Sequence, residues 1–335
     1  MSAATKIANI AKHPMTFGFI GLGQMGYPMA KNLRLKLPDT DKLIVLDINQ
    51  DVMGQLVQET KEASVKEGKP DNARQVDLAQ SAREVAEKAS VILTCLPTVQ
   101  IVKDTYSSIM DKGALAPLEQ QRLFIECSTI DPGSSTQLAS SVQERLGSHF
   151  IDAPISGGAV GAQAGTLSFM FGSSDQSEEF IENANSIFHM MGTKVWHMGG
   201  PGCGVSAKLA NNYILAINNI AAAEALNMGR QWGLDMKNLT ELISSSTGHC
   251  WPVEVNNPVP GVVKSSPASN DYKPGCSISM INKDLGLAMT GAEQSGIPLL
   301  LASTARDAYS MIDQEYRGRD FSIVYEWLRT HQKDN

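Results

Sequence analysis

Four short stretches in the first half of this chain are apolar at nearly every position: Thr16-Phe-Gly-Phe-Ile-Gly21, Lys42-Leu-Ile-Val-Leu-Asp47, Ser90-Val-Ile-Leu-Thr-Cys95 and Arg122-Leu-Phe-Ile-Glu-Cys127. Side chains of a strand alternate between its two faces, so a strand that is apolar on successive residues must be covered on both sides. Stretches of helical periodicity fill the gaps between the four. Strands alternating with helices imply an α/β fold built on a parallel, doubly wound sheet of the Rossmann type. His149-Phe-Ile-Asp-Ala-Pro154, Thr166-Leu-Ser-Phe-Met-Phe171 and Thr193-Lys-Val-Trp196 extend the series. The polar, charged stretch between Val57 and Arg83 is expected to be a solvated helix or a surface insertion.

After Gly204 the strand signals stop. Ser206 to Gly229 reads as one long helix, apolar on most sides and therefore buried, at the junction between two domains. From Trp232 to Arg329 the patterns are helical, broken by a Pro/Asn/Ser-rich loop from Pro252 to Pro274. The expected organisation is a nucleotide-binding domain over 14–200, a connecting helix over 201–230 and an all-α C-terminal domain over 231–335. A length of 335 residues suits two domains rather than one core.

Composition narrows the partners. A net charge of −7 argues against a nucleic-acid partner, which needs a basic face. No stretch is apolar for long enough to span a membrane; the nearest, Tyr213 to Met228, is broken by Asn218, Asn219, Glu224 and Asn227. Cys95, Cys127, Cys203, Cys250 and Cys276 are scattered, with no metal-ligand spacing and no disulfide framework. The first fifteen residues carry Lys6, Lys12 and His13 but no arginine, less than a transit peptide usually has, so a targeting signal stays open.

The sharpest motif is Gly21-Leu22-Gly23-Gln24-Met25-Gly26, which follows the first strand and opens a helix. Such a turn brings backbone close to a pyrophosphate seated on the helix N-terminus. Asp47, at the end of the second strand, is placed to accept the ribose hydroxyls of NAD and to repel the additional phosphate of NADP; no arginine follows it, only Ile48 and Asn49. Leu96-Pro97 and Ser128-Thr129 end the next two strands, where such sheets bind ligands, although a turn proline and a helix cap explain them equally well. Asp152-Ala-Pro-Ile-Ser156-Gly157-Gly158 ends in small residues whose exposed N–H groups suit a carboxylate, or which simply form a flexible turn. Lys208 and Asn212 lie four apart, on one face of the long helix. Such a lysine either is buried and exchanges protons or reaches to solvent. Lys283-Asp284 reads by itself as a surface ion pair.

Taken together, GFIGLGQMGYPMAKNL from Gly18, DAPISGGAVGAQAGTL from Asp152, GPGCGVSAKLANN from Gly200 and KDLGLA from Lys283 resemble the β-hydroxyacid dehydrogenase family along nearly the whole chain. Cys250-Trp251, Asn257-Pro-Val-Pro-Gly261, Pro267-Ala-Ser269 and Tyr272 resemble the branch of that family that acts on 3-hydroxyisobutyrate. The resemblance implies an NAD-dependent oxidoreductase that converts this small hydroxy acid to methylmalonate semialdehyde in valine catabolism. It implies Lys208 as general base, Asn212 as its orienting partner, and Ser156, Gly157, Gly158 and Trp251 at the substrate. Leu96, Pro97, Thr129 and Lys283 would contact the cofactor beside the glycine turn and Asp47. The long helix and the apolar C-terminal half suggest self-association, as a homodimer or homotetramer. The resemblance implies a mitochondrial matrix address, or a cytoplasmic one if the short N-terminus is complete. Ile101, where similar enzymes can carry asparagine, and Cys276, where an aromatic is common, depart from the pattern. A sister dehydrogenase, or a semialdehyde or glyoxylate reductase, is the near alternative, and a non-catalytic nucleotide-binding module the remote one.

Overall fold

The computed structural model describes residues 15–70, 73–111, 113, 115, 118, 121–273 and 275–332. The targeting question over the first fourteen residues, the loop end at Pro274 and the outer domain bounds 14 and 335 lie outside the described residues. The chain forms two compact units, Met1–Lys208 and Leu209–Asn335.

The first unit is built on one sheet. Its strands are β1 (Thr16–Ile20), β2 (Lys42–Leu46), β3 (Val76–Leu78), β4 (Val91–Thr94), β5 (Leu123–Glu126), β6 (His149–Asp152), β7 (Ile155–Ser156), β8 (Leu167–Ser173) and β9 (Gly192–Gly199). The order is β3-β2-β1-β4-β5-β6-β8-β7, with β9 also paired to β8. From β3 to β6 every pair is parallel. Helices α1 (Gly26–Lys36), α2 (Gln50–Lys66), α3 (Ala82–Lys88), α4 (Val99–Met110), α5 (Pro132–Leu146), α6 (Gly158–Ala164) and α7 (Glu178–Phe188) make the connections. The alternation expected of doubly covered strands holds residue by residue. Leu43, Val45, Val91, Leu93, Leu123 and Ile125 belong to one apolar cluster, and Ile44, Ile92 and Phe124 to the other.

Two sequence expectations are corrected here. β8 runs antiparallel to β6 and β7, so the sheet is mixed beyond β6. A parallel pairing needs a crossover of about a dozen residues or more, and the short link from Ser156 through α6 to Leu167 does not supply one. The stretch from Val57 to Arg83 is neither only a solvated helix nor an insertion. It holds the end of α2, the edge strand β3 paired to β2, and the start of α3. Its three-residue strand is too short, and too polar at Asp77, to show as an apolar run.

Helix α8 (Cys203–Gln231) starts in the first unit and continues into the second. The second unit adds α9 (Met236–Ser244), α10 (Trp251–Glu254), α11 (Ile278–Gln294), α12 (Ala302–Glu315) and α13 (Val324–Thr330). Its core gathers Ala216, Ala223 and Leu226 of α8 with Ile281, Leu285, Tyr309, Ile312 and Phe321. Several buried polar side chains pair across this core. Asn219 donates to the Tyr309 hydroxyl and to the Phe321 carbonyl, both at 3.0 Å, and Tyr309 donates to the Ala216 carbonyl at 2.8 Å. The region expected as a loop from Pro252 is packed rather than loose. Asn257 is fully buried, donates to the Val253 carbonyl and accepts from the Val259 amide, while the Tyr272 hydroxyl donates to the Pro258 carbonyl.

Candidate functional site

The carboxyl ends of β1, β2, β4, β5 and β6 carry the candidate groups of the first unit. At the end of β1 the fold itself requires glycine at two of the three motif positions. Gly21 takes φ +97°, in the left-handed region, and a Cβ there would lie 2.3 Å from the Cys95 carbonyl oxygen. A Cβ on Gly26 would lie 1.9 Å from the Gly21 carbonyl oxygen, so helix α1 could not start so close to the strand. Gly23 has neither reason: its φ is not left-handed, and a Cβ there would meet no protein atom within 4 Å.

Helix α1, which follows, has no side-chain cap and no acidic residue in its first turn. By contrast Asn49, Ser81, Thr98, Asp131 and Ser177 cap α2, α3, α4, α5 and α7. An uncapped N-terminus beside a bare glycine presents positive potential to an anion, although the Tyr27 amide donates to the Gly23 carbonyl at 3.0 Å and Pro28 has no N–H. The Asp47 carboxylate is aimed there as well. Its Oδ2 accepts from the Leu22 amide at 2.6 Å and its Oδ1 from the Asn49 amide at 2.9 Å. These residues fit the pyrophosphate and ribose of a dinucleotide. Gln24 is exposed and Met25 half-buried at the mouth of the turn.

The β4 and β5 ends are tied together beside it. The Leu96 amide donates to Ser128 Oγ at 2.7 Å, which holds the Leu96-Pro97 turn against Ser128-Thr129. Beneath this turn lies the fully buried Glu126, which accepts from Thr94 Oγ1 at 2.6 Å and from the Ser128 amide at 2.7 Å. Burial pushes its carboxyl up to about 7, against the pull of those hydrogen bonds. Thr129 is half-buried and Pro97 exposed. Ile101 is exposed in the first turn of α4, where its amide donates to Thr98.

At the end of β6 the chain passes through β7 into Ser156, Gly157 and Gly158, the last two with φ of +129° and +61°. Two successive glycines with positive φ form a turn that residues with side chains rarely adopt, and turns of small residues can expose N–H groups to an anion. Lys208, in the second turn of α8, is only 8% exposed, so of the two alternatives open in the sequence the structure takes the buried one. The buried Asp152, which ends β6, accepts from the Gly202 and Val205 amides at the start of that helix.

In the second unit Asn212, one turn beyond Lys208 on α8, donates from Nδ2 to Asp284 Oδ2 at 2.7 Å. Lys283, half-exposed, has its Nζ 3.7 Å from Asp284 Oδ1. Trp251 opens α10 and is 48% exposed. The structure thus brings Asn212 to the Lys283-Asp284 pair within the second unit and the Leu22 amide to Asp47 within the first.

Three carboxylates to which the sequence reading gave no role stand beside the candidate groups: Asp284, Asp152 and Glu126. One signal was available for the last two, since each is a carboxylate closing an otherwise apolar strand. Asp284 carried none, because a charge beside a lysine on a helix looks like any solvated pair. Among the described residues there is no cluster of side chains that could hold a metal ion, and no helix is long and apolar enough to cross a membrane.

Comparison with known proteins identifies the family. Residues 16–200 match the model of the NAD binding domain of 6-phosphogluconate dehydrogenase, and residues 202–328 that of the NAD-binding domain of NADP-dependent 3-hydroxyisobutyrate dehydrogenase. The mitochondrial 3-hydroxyisobutyrate dehydrogenase of Mus musculus is 41% identical over 316 residues, which cover 94% of this chain and 87% of the mouse protein. The NAD-dependent L-serine dehydrogenase of Pseudomonas aeruginosa is 39% identical over 91% of this chain and 95% of its own length. Among solved structures, the Mycobacterium tuberculosis 3-hydroxyisobutyrate dehydrogenase with L-serine superposes with a TM-score of 0.78 at 34% identity, covering 95% of this chain and all of that one. With likeness of this degree running through both units, the chain belongs to the 3-hydroxyisobutyrate dehydrogenase family of NAD-binding oxidoreductases.

Proposed function

We propose that the chain oxidises 3-hydroxyisobutyrate to methylmalonate semialdehyde with NAD⁺, a step of valine catabolism, with Lys208 as the proton-transfer group. The observation that carries the reading is the burial of Lys208 on a helix whose first turn is held by the strand leading to the Ser156–Gly158 cradle. NAD⁺, when bound, supplies the hydride acceptor. The chain's residues do the rest. Backbone N–H groups of Ser156, Gly157 and Gly158 hold the substrate carboxylate. The Lys208 amine, neutral at the start, takes the hydroxyl proton as the alcohol is oxidised, and in reverse its ammonium returns a proton to the aldehyde oxygen. Asn212, held by Asp284, fixes the amine from one turn along the helix. Gly21 to Gly26, Asp47, Leu96, Pro97, Thr129 and Lys283 form the cofactor side, and Trp251 the substrate side. Helix α8 serves as the link between a cofactor domain and an all-α domain.

Asp47 favours NAD⁺ over NADP⁺, because an acid at the end of β2 would accept ribose hydroxyls and repel the extra phosphate of NADP⁺. Exposed large apolar residues of the second unit, Trp232, Leu242 and Leu300 among them, support a homodimer or homotetramer. Light scattering on the purified protein measures that state.

A second substrate is favoured by one specific finding: a relative 39% identical is an L-serine dehydrogenase. L-Serine carries the same carboxylate and primary hydroxyl, with an amine where hydroxyisobutyrate has a methyl. The test is NADH formation followed by absorbance with (S)-3-hydroxyisobutyrate, D- and L-serine, 3-hydroxypropionate and L-glycerate, each with NAD⁺ and NADP⁺. Preference for hydroxyisobutyrate with NAD⁺ supports the reading, whereas preference for L-serine moves the chain to the second.

A further inference from the structure

Asp152 stands where two parts of the proposed site leave the sheet. It ends β6, and from it the main chain runs through Ala153 and Pro154 to the Ser156–Gly158 turn. Its side chain joins a different element. Oδ1 accepts from the Gly202 amide and Oδ2 from the Val205 amide, both at 2.8 Å, across fifty and fifty-three positions of sequence. Those amides open α8, and Lys208 follows three residues after Val205.

Two glycines border the carboxylate, each also pressed by a backbone oxygen, of Gly200 and of Met170. A Cβ on Gly172 would lie 2.8 Å from Oδ1, and a Cβ on Gly204 would lie 2.8 Å from Oδ2. The side chain is fully buried, and burial pushes its carboxyl up to about 7. A helix start needs no such group for its own sake. Five other helices of this unit are capped by residues next to their own first turn. Burying an acid instead is costly unless its hydrogen bonds are complete. Here the bonds are strong, since backbone donors meet a carboxylate at short distance. Their particular effect is to lock the rotation and height of α8 against the end of β6.

We infer that Asp152 is a positioning residue of the reaction: by clamping the first turn of the Lys208 helix to the strand that leads to the Ser156–Gly158 turn, it sets the separation between the proton-transfer amine and the carboxylate cradle. This rests on the roles given above to Lys208 and to that turn. The cofactor turns at β1, β2 and β4 are held by other bonds, so cofactor affinity is expected to survive loss of the clamp.

The experiment is Asp152→Asn, which keeps the shape of the side chain but turns an amide N–H₂ group towards a backbone donor. Sites competent for NADH are titrated by fluorescence, and turnover is expressed per titrated site. A displacement of about 1 Å can cost about 10²-fold in rate, so kcat per site is expected to fall tenfold or more on that order. NADH affinity should hold within about threefold, and hydrogen exchange at the amides of Gly202 and Val205 should quicken. A purely structural role predicts fewer sites with wild-type turnover at each, and that result overturns the proposal. Should Asp152→Asn not fold, Val205→Pro cuts the same clamp from the helix side. First-turn N–H groups have no intrahelical acceptor, so the helix itself loses no bond. Wild-type turnover per site in that variant likewise overturns the proposal. Lys208→Ala run in parallel keeps the two readings apart. If it retains turnover, the lysine assignment fails. If it loses turnover while Asp152→Asn keeps it, only the positioning role fails.

Discussion

Asn212 Nδ2 donates to Asp284 Oδ2 at 2.7 Å, joining two residues 72 positions apart that are 6% and 9% exposed. The bond fixes the amide so that its oxygen, which accepts from Asn211 Nδ2 at 3.0 Å, points a known way. Asp284→Ala leaves that buried amide without its acceptor, a loss of about 1–3 kcal/mol. Thermal unfolding should show the loss, with kcat reduced alongside. Asn212→Ala combined with Asp284→Ala should be less than additive, since both remove one bond. Full additivity in unfolding and in kcat would show that the pair does not act as a unit.

Lys208→Ala is expected to lower kcat by about 10²–10⁴-fold, the usual cost of losing a positioned proton-transfer group. Because Lys208 lies away from the glycine turn in sequence and element, NADH binding measured by fluorescence should persist. Near-normal turnover in a folded Lys208→Ala protein would remove the lysine from the mechanism.

The motif glycines separate ligand from fold. A methyl on Gly23 meets no protein atom within 4 Å, so Gly23→Ala should leave the melting temperature nearly unchanged and weaken NADH binding. Gly26→Ala forces a Cβ to 1.9 Å from a backbone oxygen and should lower the melting temperature instead. The measurement is a pair of melting curves and a pair of NADH titrations; equal binding in Gly23→Ala and wild type would mean that no pyrophosphate approaches there.

Asp47→Ser should shift preference towards NADP⁺, because it removes the charge that repels the extra phosphate. Since Asp47 also holds the Leu22 amide at 2.6 Å, activity with NAD⁺ should fall as well. The ratio of kcat/KM for the two cofactors is the readout, and an unchanged ratio assigns discrimination to other residues.

Stability should depend on pH through Glu126, whose carboxyl is raised from 4.5 to about 7 by burial. Between those values the folded protein keeps a proton that the unfolded chain has released. Stability is therefore fully present below about pH 4.5, falls as pH rises towards 7 by up to ~1.4 kcal/mol per unit, and levels off above. Asp152 adds in the same direction. Glu59, Glu67, Glu84 and Glu326 are shifted downward, so their contributions change only at lower pH. His149, lowered by burial, acts in the opposite direction over part of this range, so the readout is a difference: from pH 5 to about 7 the wild type should lose melting temperature relative to Glu126→Gln, and the difference should level off above. An equal slope in the two proteins would place the dependence elsewhere.

The amino-acid sequence by itself determined the strands buried on both faces, the glycine turn answered by Asp47, and the long helix carrying Lys208 and Asn212. Each is a local pattern, an apolar run or a spacing within a few turns of chain, and local patterns survive in one dimension. The resemblance carried by four such patterns reached the right family, because they recur in one order along the chain. What only the tertiary structure decided is how distant parts meet. Asp152 lies fifty residues before the helix start it holds, and Asp284 lies 72 residues beyond the asparagine it orients. The antiparallel turn of β8 and the edge strand β3 were decided in the same way, by a link too short for a crossover and by a neighbouring strand with an open edge. The physical reason is common to all four: a hydrogen-bond acceptor is chosen by proximity after folding, and proximity across a sheet or a helix bundle leaves no periodic mark on the sequence.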